Sequence, residues 1–288
     1  MRDAIANHIS EATGEPFTLS QKQPVGGGCI NDTYRLKGKN RDYFLKLNQA
    51  DALEIFEAEA DGLREIAATK TIRTPSPICT GTTGRQAYLV MEHLPLGGSQ
   101  AGSQFELGER LAKLHSVPQA QFGWHRDNTI GSTPQPNPKS NDWVGFLREH
   151  RLGFQFHLAK QNGMPLRDGE KLLRQLDHFF ADYQPKPALL HGDLWSGNVA
   201  FDDQGAPVIF DPATYHGDRE AEFGLTEMFG GFGADFWNGY ESVLPLETGY
   251  ATRKLLYRLY HTLNHFNLFG SSYAGSAQSI IEQLLRSL

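Results

Sequence analysis

Two cysteines in 288 residues are too few for a disulfide framework, and neither Cys29 nor Cys79 has a neighbour at the spacing of a structural zinc site. Both are expected as thiols in a reducing compartment. No run of 18 apolar residues occurs, which excludes a membrane-spanning helix. The N-terminus, Met1-Arg2-Asp3-Ala4-Ile5-Ala6-Asn7-His8-Ile9, carries charged and polar groups where a signal peptide needs an uninterrupted apolar stretch, so a soluble cytoplasmic chain without a membrane partner is expected. Positive charge is also scarce. With 27 Lys and Arg against 33 Asp and Glu, the net charge is -6 and the pI about 6.0, which leaves no basic footprint for nucleic acid. A small ligand, cationic included, suits this balance better. Internal repeats, low-complexity segments and a Walker A sequence are absent too. What remains is ordinary globular composition, 39% hydrophobic and 21% charged, in a chain long enough for one or two cores.

The first 13 residues can form a short amphipathic helix with Ile5 and Ile9 on one face. Short strands are expected at Phe17–Ser20, Asn31–Leu36 and Asp42–Leu47, broken by Gly26-Gly27-Gly28 and by the turn Lys37-Gly38-Lys39-Asn40. Asp51 and Glu54 resemble a capping box ahead of a helix from Ala52 to Ala68. Thr74-Pro75-Ser76-Pro77 stops it, and Gln86–Met91 has the character of a buried strand. Beyond Leu96-Gly97-Gly98 helical spacing dominates, at Gln104–His115, Asp142–Leu158, Leu166–Tyr183, Glu222–Phe229, Thr248–Leu268 and Ser276–Leu288. The stretch from Val117 to Asn141 is rich in Pro, Gly, Asn and Thr, and a loop so long in a compact domain is usually functional or mobile. The pattern predicts an α+β chain of two lobes, a sheet-and-helix lobe over residues 1–96 and a mostly α-helical lobe over 97–288.

His191-Gly192-Asp193 lies between the apolar stretches Ala188-Leu189-Leu190 and Val199-Ala200-Phe201, as a loop held by rigid elements would. Asn198 follows Asp193 by five residues, the spacing of the protein-kinase catalytic loop, in which the Asp accepts the acceptor hydroxyl's proton and the Asn holds magnesium. Thirteen residues further, the strand Pro207-Val208-Ile209-Phe210 ends in Asp211, the place of a second metal-binding group. Singly, Asp and Asn are common turn and capping residues. As a set they supply what phosphoryl transfer from ATP requires: hard oxygen ligands for Mg2+ and a carboxylate within reach of the hydroxyl.

Upstream, Lys46 in the apolar strand Tyr43–Leu47 and Glu59 on the next helix match the lysine–glutamate pair that holds the α- and β-phosphates, with Glu57 as the competing partner. Gly26, Gly27 and Gly28 lie where a glycine-rich loop lets backbone N–H groups approach phosphates, although glycine clusters also mark plain hairpins. Glu92, His93 and Leu94 follow a strand where a hinge would present backbone groups to adenine.

The octapeptide His191–Asn198, with Asp211-Pro212-Ala213 and Tyr215-His216-Gly217-Asp218-Arg219-Glu220, resembles the fructosamine-3-kinase (ketosamine kinase) family within the aminoglycoside phosphotransferase-like superfamily. The likeness runs over nearly the whole chain, through Phe56-Glu57-Ala58-Glu59, Asn128–Gly131, Thr133-Pro134-Gln135 and Asn264–Gly270, and Trp195 is its more selective mark. It implies ATP-dependent phosphorylation of the sugar O3' hydroxyl of fructosamine-type adducts on small amines or glycated proteins, which then decompose and release the amine.

Around this core several assignments stay open. Trp195 can offer an indole face to a sugar or cation, or simply pack. Asp218 and Glu220 can recognise the ketosamine's cationic amine, with Arg219 paired to one of them, or cap the helix that follows. His216 and His265 have no metal-like spacing and are expected as structural histidines. Cys29, in the phosphate-loop position, is a redox candidate or an inert small residue. Asp211 is followed by Pro-Ala instead of Phe-Gly and no Ala-Pro-Glu follows, which disfavours a protein kinase. Another aminoglycoside- or choline-type phosphotransferase and a nucleotide-binding protein without turnover are the alternatives. A monomer and a homodimer are equally compatible with the sequence.

Overall fold

The computed structural model describes residues 2–26, 31–164 and 166–288. In the small lobe, helix α1 (Arg2–Thr13) precedes strands β1 (Gln21–Pro24), β2 (Asp32–Lys37) and β3 (Asp42–Gln49), helix α2 (Leu53–Ala68), and strands β4 (Pro77–Thr83) and β5 (Gln86–Glu92). The five strands form one antiparallel sheet in the order β1-β2-β3-β5-β4. Two-residue periodicity decides what each face does. Tyr43, Leu45 and Leu47 of β3 join Tyr88 and Val90 of β5 under Ile5 and Ile9 of α1. The alternate residues Phe44, Ala87, Leu89 and Met91 meet Phe56, Ala60 and Leu63 of α2. Lys46 shares this second face, so its side chain is directed beneath α2.

Three local expectations are corrected here. Residues 17–20 are not a strand: Phe17 and Leu19 pack on the α1 side of the sheet and the first strand begins at Gln21. The Asp51–Glu54 capping box does not form; α2 starts from a tight turn at Ala50–Ala52 with no side-chain cap. Strand β4 was hidden by its flanking prolines, which an edge strand tolerates at its first residue.

The chain passes from the small to the large lobe through β6 (Leu96–Gly97), and α3 (Ser103–His115) follows. Residues 117–141 are not featureless: they contain the hairpin β7 (Asn128–Ile130) and β8 (Thr133–Gln135). Helices α4 (Trp143–Leu147) and α5 (Phe154–Gln161) are joined through a wide π-type turn at Arg148–Gly153, and α6 (Gly169–Arg174) is much shorter than its apolar pattern suggests. Strands β9 (Pro187–Leu190), β10 (Val199–Asp202), β11 (Pro207–Ile209) and β12 (Tyr215–Asp218) form two small antiparallel ladders, β11-β10-β6 and β12-β9. Helix α7 (Phe223–Thr226) is a single turn, and α9 (Tyr250–Phe269) and α10 (Ala274–Arg286) follow the expected periodicity.

Between them lies α8 (Ala234–Val243), which the sequence reading missed. Its Gly239 lowers helix propensity but permits contact with α3: a Cβ there would stand 2.0 Å from the Phe105 carbonyl oxygen, and one on Gly108 2.0 Å from that of Phe236. Among the described residues no helix is long and apolar enough to cross a membrane.

Candidate active site

The loop 191–198 joins β9 to β10, and Asp211 lies in the loop from β11 to β12, so two short ladders carry the two loops side by side. Gly192 has φ +82°, and a Cβ there would meet the Ala213 carbonyl oxygen at 2.2 Å, so only glycine allows this approach. The loops are laced together by Ala213 N–H to the His191 carbonyl at 2.9 Å and Phe210 N–H to the Asn198 carbonyl at 3.2 Å. The buried His191 ring places Nε2 2.9 Å from the Phe210 carbonyl and accepts the Asp193 N–H at Nδ1, 3.3 Å away. Because a carbonyl can only accept, the proton of this ring sits on Nε2. Burial lowers the pKa of the imidazole despite the Glu222 carboxylate nearby, which keeps it neutral.

Beneath the loop, the Glu222 carboxylate accepts the backbone N–H of His191 at 2.7 Å and of Gly192 at 2.8 Å, and His115 Nε2 lies 3.3 Å from it. Burial works against the charge, but the His115 hydrogen bond and the Gly192 amide outweigh it and hold the carboxyl below its usual range. Sequence reasoning saw in Glu222 only a helix start. Nothing in the spacing of residues 191 and 222 signals their contact.

Asn198 Nδ2 donates to the Asp193 carbonyl at 2.8 Å and to Asp193 Oδ2 at 3.2 Å. This fixes the amide orientation and leaves Oδ1 with no donor among the described residues. Burial, reinforced by the Asp211 charge, pushes the Asp193 carboxyl up to about 7 against the Asn198 hydrogen bond. Lys46 Nζ bridges Glu59 Oε1 at 2.6 Å and Asp211 Oδ1 at 2.5 Å. Burial alone would discharge the lysine, but the two carboxylates more than offset it and raise its pKa. Glu57 is not the partner: it lies 3.5 Å from Arg126.

Asp211 has φ +59°, a left-handed conformation that aspartate tolerates better than most residues, and its side chain is 43% exposed. Its outer oxygen and Asn198 Oδ1 are hard oxygen atoms on adjoining loops. Among the described residues no group of three or more His, Cys, Asp or Glu can hold a metal. That fits magnesium, which takes one or two protein oxygens and completes its shell with water and substrate phosphates.

At the end of β5, the Glu92 N–H is committed to the Ser76 carbonyl at 2.8 Å, and its carboxylate to Arg73 at 2.5 Å and the Ser76 N–H at 3.1 Å. The Glu92 N–H and carboxylate are thus taken up within the protein, while none of these bonds uses its carbonyl. Gly26 follows β1; Gly27, Gly28 and Cys29 lie outside the described residues. Trp195 is half-buried and meets Phe229 edge-on, ring centroids 5.7 Å apart, so it is not a core residue.

Asp218 is a correction. It is fully buried and accepts from the Tyr183 hydroxyl at 2.7 Å, from the Tyr257 hydroxyl and from the Glu220 N–H at 3.2 Å, so it caps the following turn and cannot meet a substrate amine. Arg219 pairs with neither acid. It donates to the carbonyls of Leu244 and Pro245, while Glu220 is held bidentately by Arg253. His216 and His265 both have protein partners, Glu65 and the His261 carbonyl. Cys79 is buried, which pushes its thiol up to about 12.

The model of the fructosamine kinase family matches residues 1–287. Over 283 residues, 98% of this chain and 96% of the relative, the sequence is 50% identical to a protein of Synechocystis sp. named "Probable ketoamine kinase". It is 44% identical to the chloroplastic protein-ribulosamine 3-kinase of Arabidopsis thaliana, over 96% of this chain and 86% of that one. Among solved structures it is similar to a protein of Haemophilus somnus named as a candidate fructosamine-3-kinase, with TM-score 0.90, 29% identity and coverage of 98% and 96%. An aminoglycoside phosphotransferase in ternary complex with ADP and hygromycin B shares the fold at TM-score 0.63 and 18% identity, over 99% of this chain and 98% of that one.

Proposed function

Because this chain belongs to the fructosamine kinase family, we propose that it transfers the γ-phosphoryl group of ATP to the O3' hydroxyl of ketosamines, on small amines or glycated proteins. The observation that carries the reading is the Lys46 ammonium bridging Glu59 and Asp211, beside a loop in which Asn198 tethers Asp193. A buried ammonium between two carboxylates is a preformed clamp for phosphate oxygens, and it lies next to the carboxylate suited to the acceptor hydroxyl.

In this reading Lys46, held by Glu59, binds the α- and β-phosphates, to which Gly26, Gly27 and Gly28 are assigned as backbone N–H donors. His93 and Leu94, anchored by Glu92, offer backbone groups to adenine. Asn198 Oδ1 and Asp211 would hold Mg2+, which when bound neutralises charge on the β- and γ-phosphate oxygens. Asp193 orients the O3' hydroxyl and takes its proton as the phosphoryl group arrives, and its raised pKa suits that step near neutral pH. Trp195 offers a face to the sugar. We place the lobe boundary at residues 96 and 97, with nucleotide binding before it and acceptor binding after it.

The test is ATP consumption over a panel of fructosamines, ribulosamines, aminoglycosides and choline, beside Asp193→Ala. Turnover of ketosamines that is lost in the variant is expected. Turnover on aminoglycosides or choline alone would sink the acceptor assignment, and an active Asp193→Ala would sink the mechanism.

A further inference from the structure

Helix α2 bears Glu59 on the face that meets Lys46, and Asp61 and Glu65, four residues apart, on a face that meets the large lobe. Glu65 is gripped at both carboxylate oxygens. Oε1 lies 2.6 Å from His216 Nε2, and Oε2 accepts the Trp124 indole N–H at 2.6 Å. The two jaws come from separate elements, the segment before β7 and strand β12. They are joined to each other by reciprocal backbone hydrogen bonds between Gly123 and His216, at 2.9 and 2.8 Å. Strand β12 in turn pairs with β9, His216 opposite Leu189, just ahead of the loop that carries Asp193.

Two further contacts lie on the same side of α2. Asp61 accepts from Arg126 at 2.9 Å. Gly62 is so close to the loop after Asp211 that a Cβ would stand 2.4 Å from Thr214 Oγ1. The Glu65 carboxyl is held below its usual range: burial opposes its charge, and the hydrogen bonds of His216 and Trp124 overcome that. In protein kinases the position of the corresponding helix is set by a phosphorylated activation segment. This chain lacks the Ala-Pro-Glu that would end such a segment, and it carries instead the long 117–141 stretch that supplies Trp124 and Arg126.

We propose that Glu65, clamped between Trp124 and His216, is a positioning residue that latches α2 to the large lobe and presets Glu59 against Lys46 in the resting enzyme. The 117–141 segment thereby does the work of an activation segment without a modification. Glu65 touches no reacting group. It acts through Glu59, by fixing the rotation and height of α2 relative to Asp211.

The experiment is a double-mutant cycle on kcat with Glu65→Ala and Glu59→Gln in the full chain, each variant checked for a cooperative thermal transition. Glu65→Ala is expected to lower kcat about 10- to 100-fold while the KM for ketosamine stays within about twofold, the size of effect a misplacement near 1 Å produces. Glu65→Gln, which keeps an acceptor for Trp124, is expected to recover most of the rate. The double variant is expected to match Glu59→Gln alone. Multiplying effects in the double variant, or an unimpaired Glu65→Ala, would overturn the latch. Should Glu65→Ala not fold, His216→Ala removes one jaw and is read in the same cycle, with the same expected and overturning results. The proposal rests on Lys46 and Glu59 acting as the ATP clamp. A fully active Glu59→Gln overturns that assignment, whereas an impaired Glu59→Gln beside a fully active Glu65→Ala overturns the latch alone.

Discussion

The Glu222 carboxylate holds the backbone N–H of Gly192 at 2.8 Å, with its second oxygen on the neighbouring amide of His191 at 2.7 Å. A residue far along the chain thus fixes the start of the loop that ends in Asn198. Glu222→Gln keeps one acceptor and turns an amide N–H2 toward a backbone N–H. We expect it to destabilise the fold by about 3 kcal/mol, the usual cost of breaking a buried charged network. Because the folded-state pKa of Glu222 is depressed, its contribution is fully present above the unfolded value near 4.5 and is lost as pH falls through the folded one. Thermal unfolding from pH 6 down to 3 should therefore show a steeper loss in the parent than in the variant.

Asp193 has the opposite sign. Burial and the Asp211 charge raise its carboxyl to about 7, so in metal-free protein ionisation costs stability as pH rises from the ordinary carboxylate range through 7. Asp193→Asn is expected to stabilise the chelator-treated protein at pH 8, by roughly 2 kcal/mol after allowing for water in the open cleft, and hardly at pH 4. The same variant should lose at least about 100-fold in kcat. Equal stabilisation at both pH values would contradict the assignment.

Lys46→Met leaves Glu59 and Asp211 facing each other without the ammonium between them. A loss of about 3 kcal/mol is expected, read by urea unfolding. The fall in kcat should exceed that of Glu59→Gln, because in the proposed mechanism Lys46 itself meets the phosphates.

Asp218→Ala strands two tyrosine hydroxyls and a backbone N–H in the interior. It should cost about 3 kcal/mol of stability yet leave the KM for ketosamine unchanged in folded protein. A selective rise in that KM would restore Asp218 to the substrate site.

Trp195→Ala should raise the KM for ketosamine about tenfold, the worth of one aromatic face, with the KM for ATP unchanged. Steady-state kinetics with each substrate varied in turn separates the two.

Much of the site was legible because its parts are local. Asp193 and Asn198 share one loop whose spacing is its own signature, and β3 carries Lys46 at an alternate position of an apolar strand. Glu59 followed from helical order, and the structure sets its competitor Glu57 toward Arg126. Strand β4 and helix α8 were not legible: edge prolines and Gly239 weaken the local signal, and tertiary contact compensates for it.

The sequence by itself determined the chemistry of the loop, the alternation of the small-lobe sheet and the amphipathic course of α2, since each depends on neighbours within a few residues. The tertiary structure alone decided that Asp218 is buried beneath two tyrosines, that Glu222 holds the start of the loop bearing Asp193, and that Glu65 joins the two lobes. Burial and partner choice for a carboxylate depend on which distant elements enclose it, and acidic residues have the same pattern along the chain whether they face water, a substrate or a buried amide.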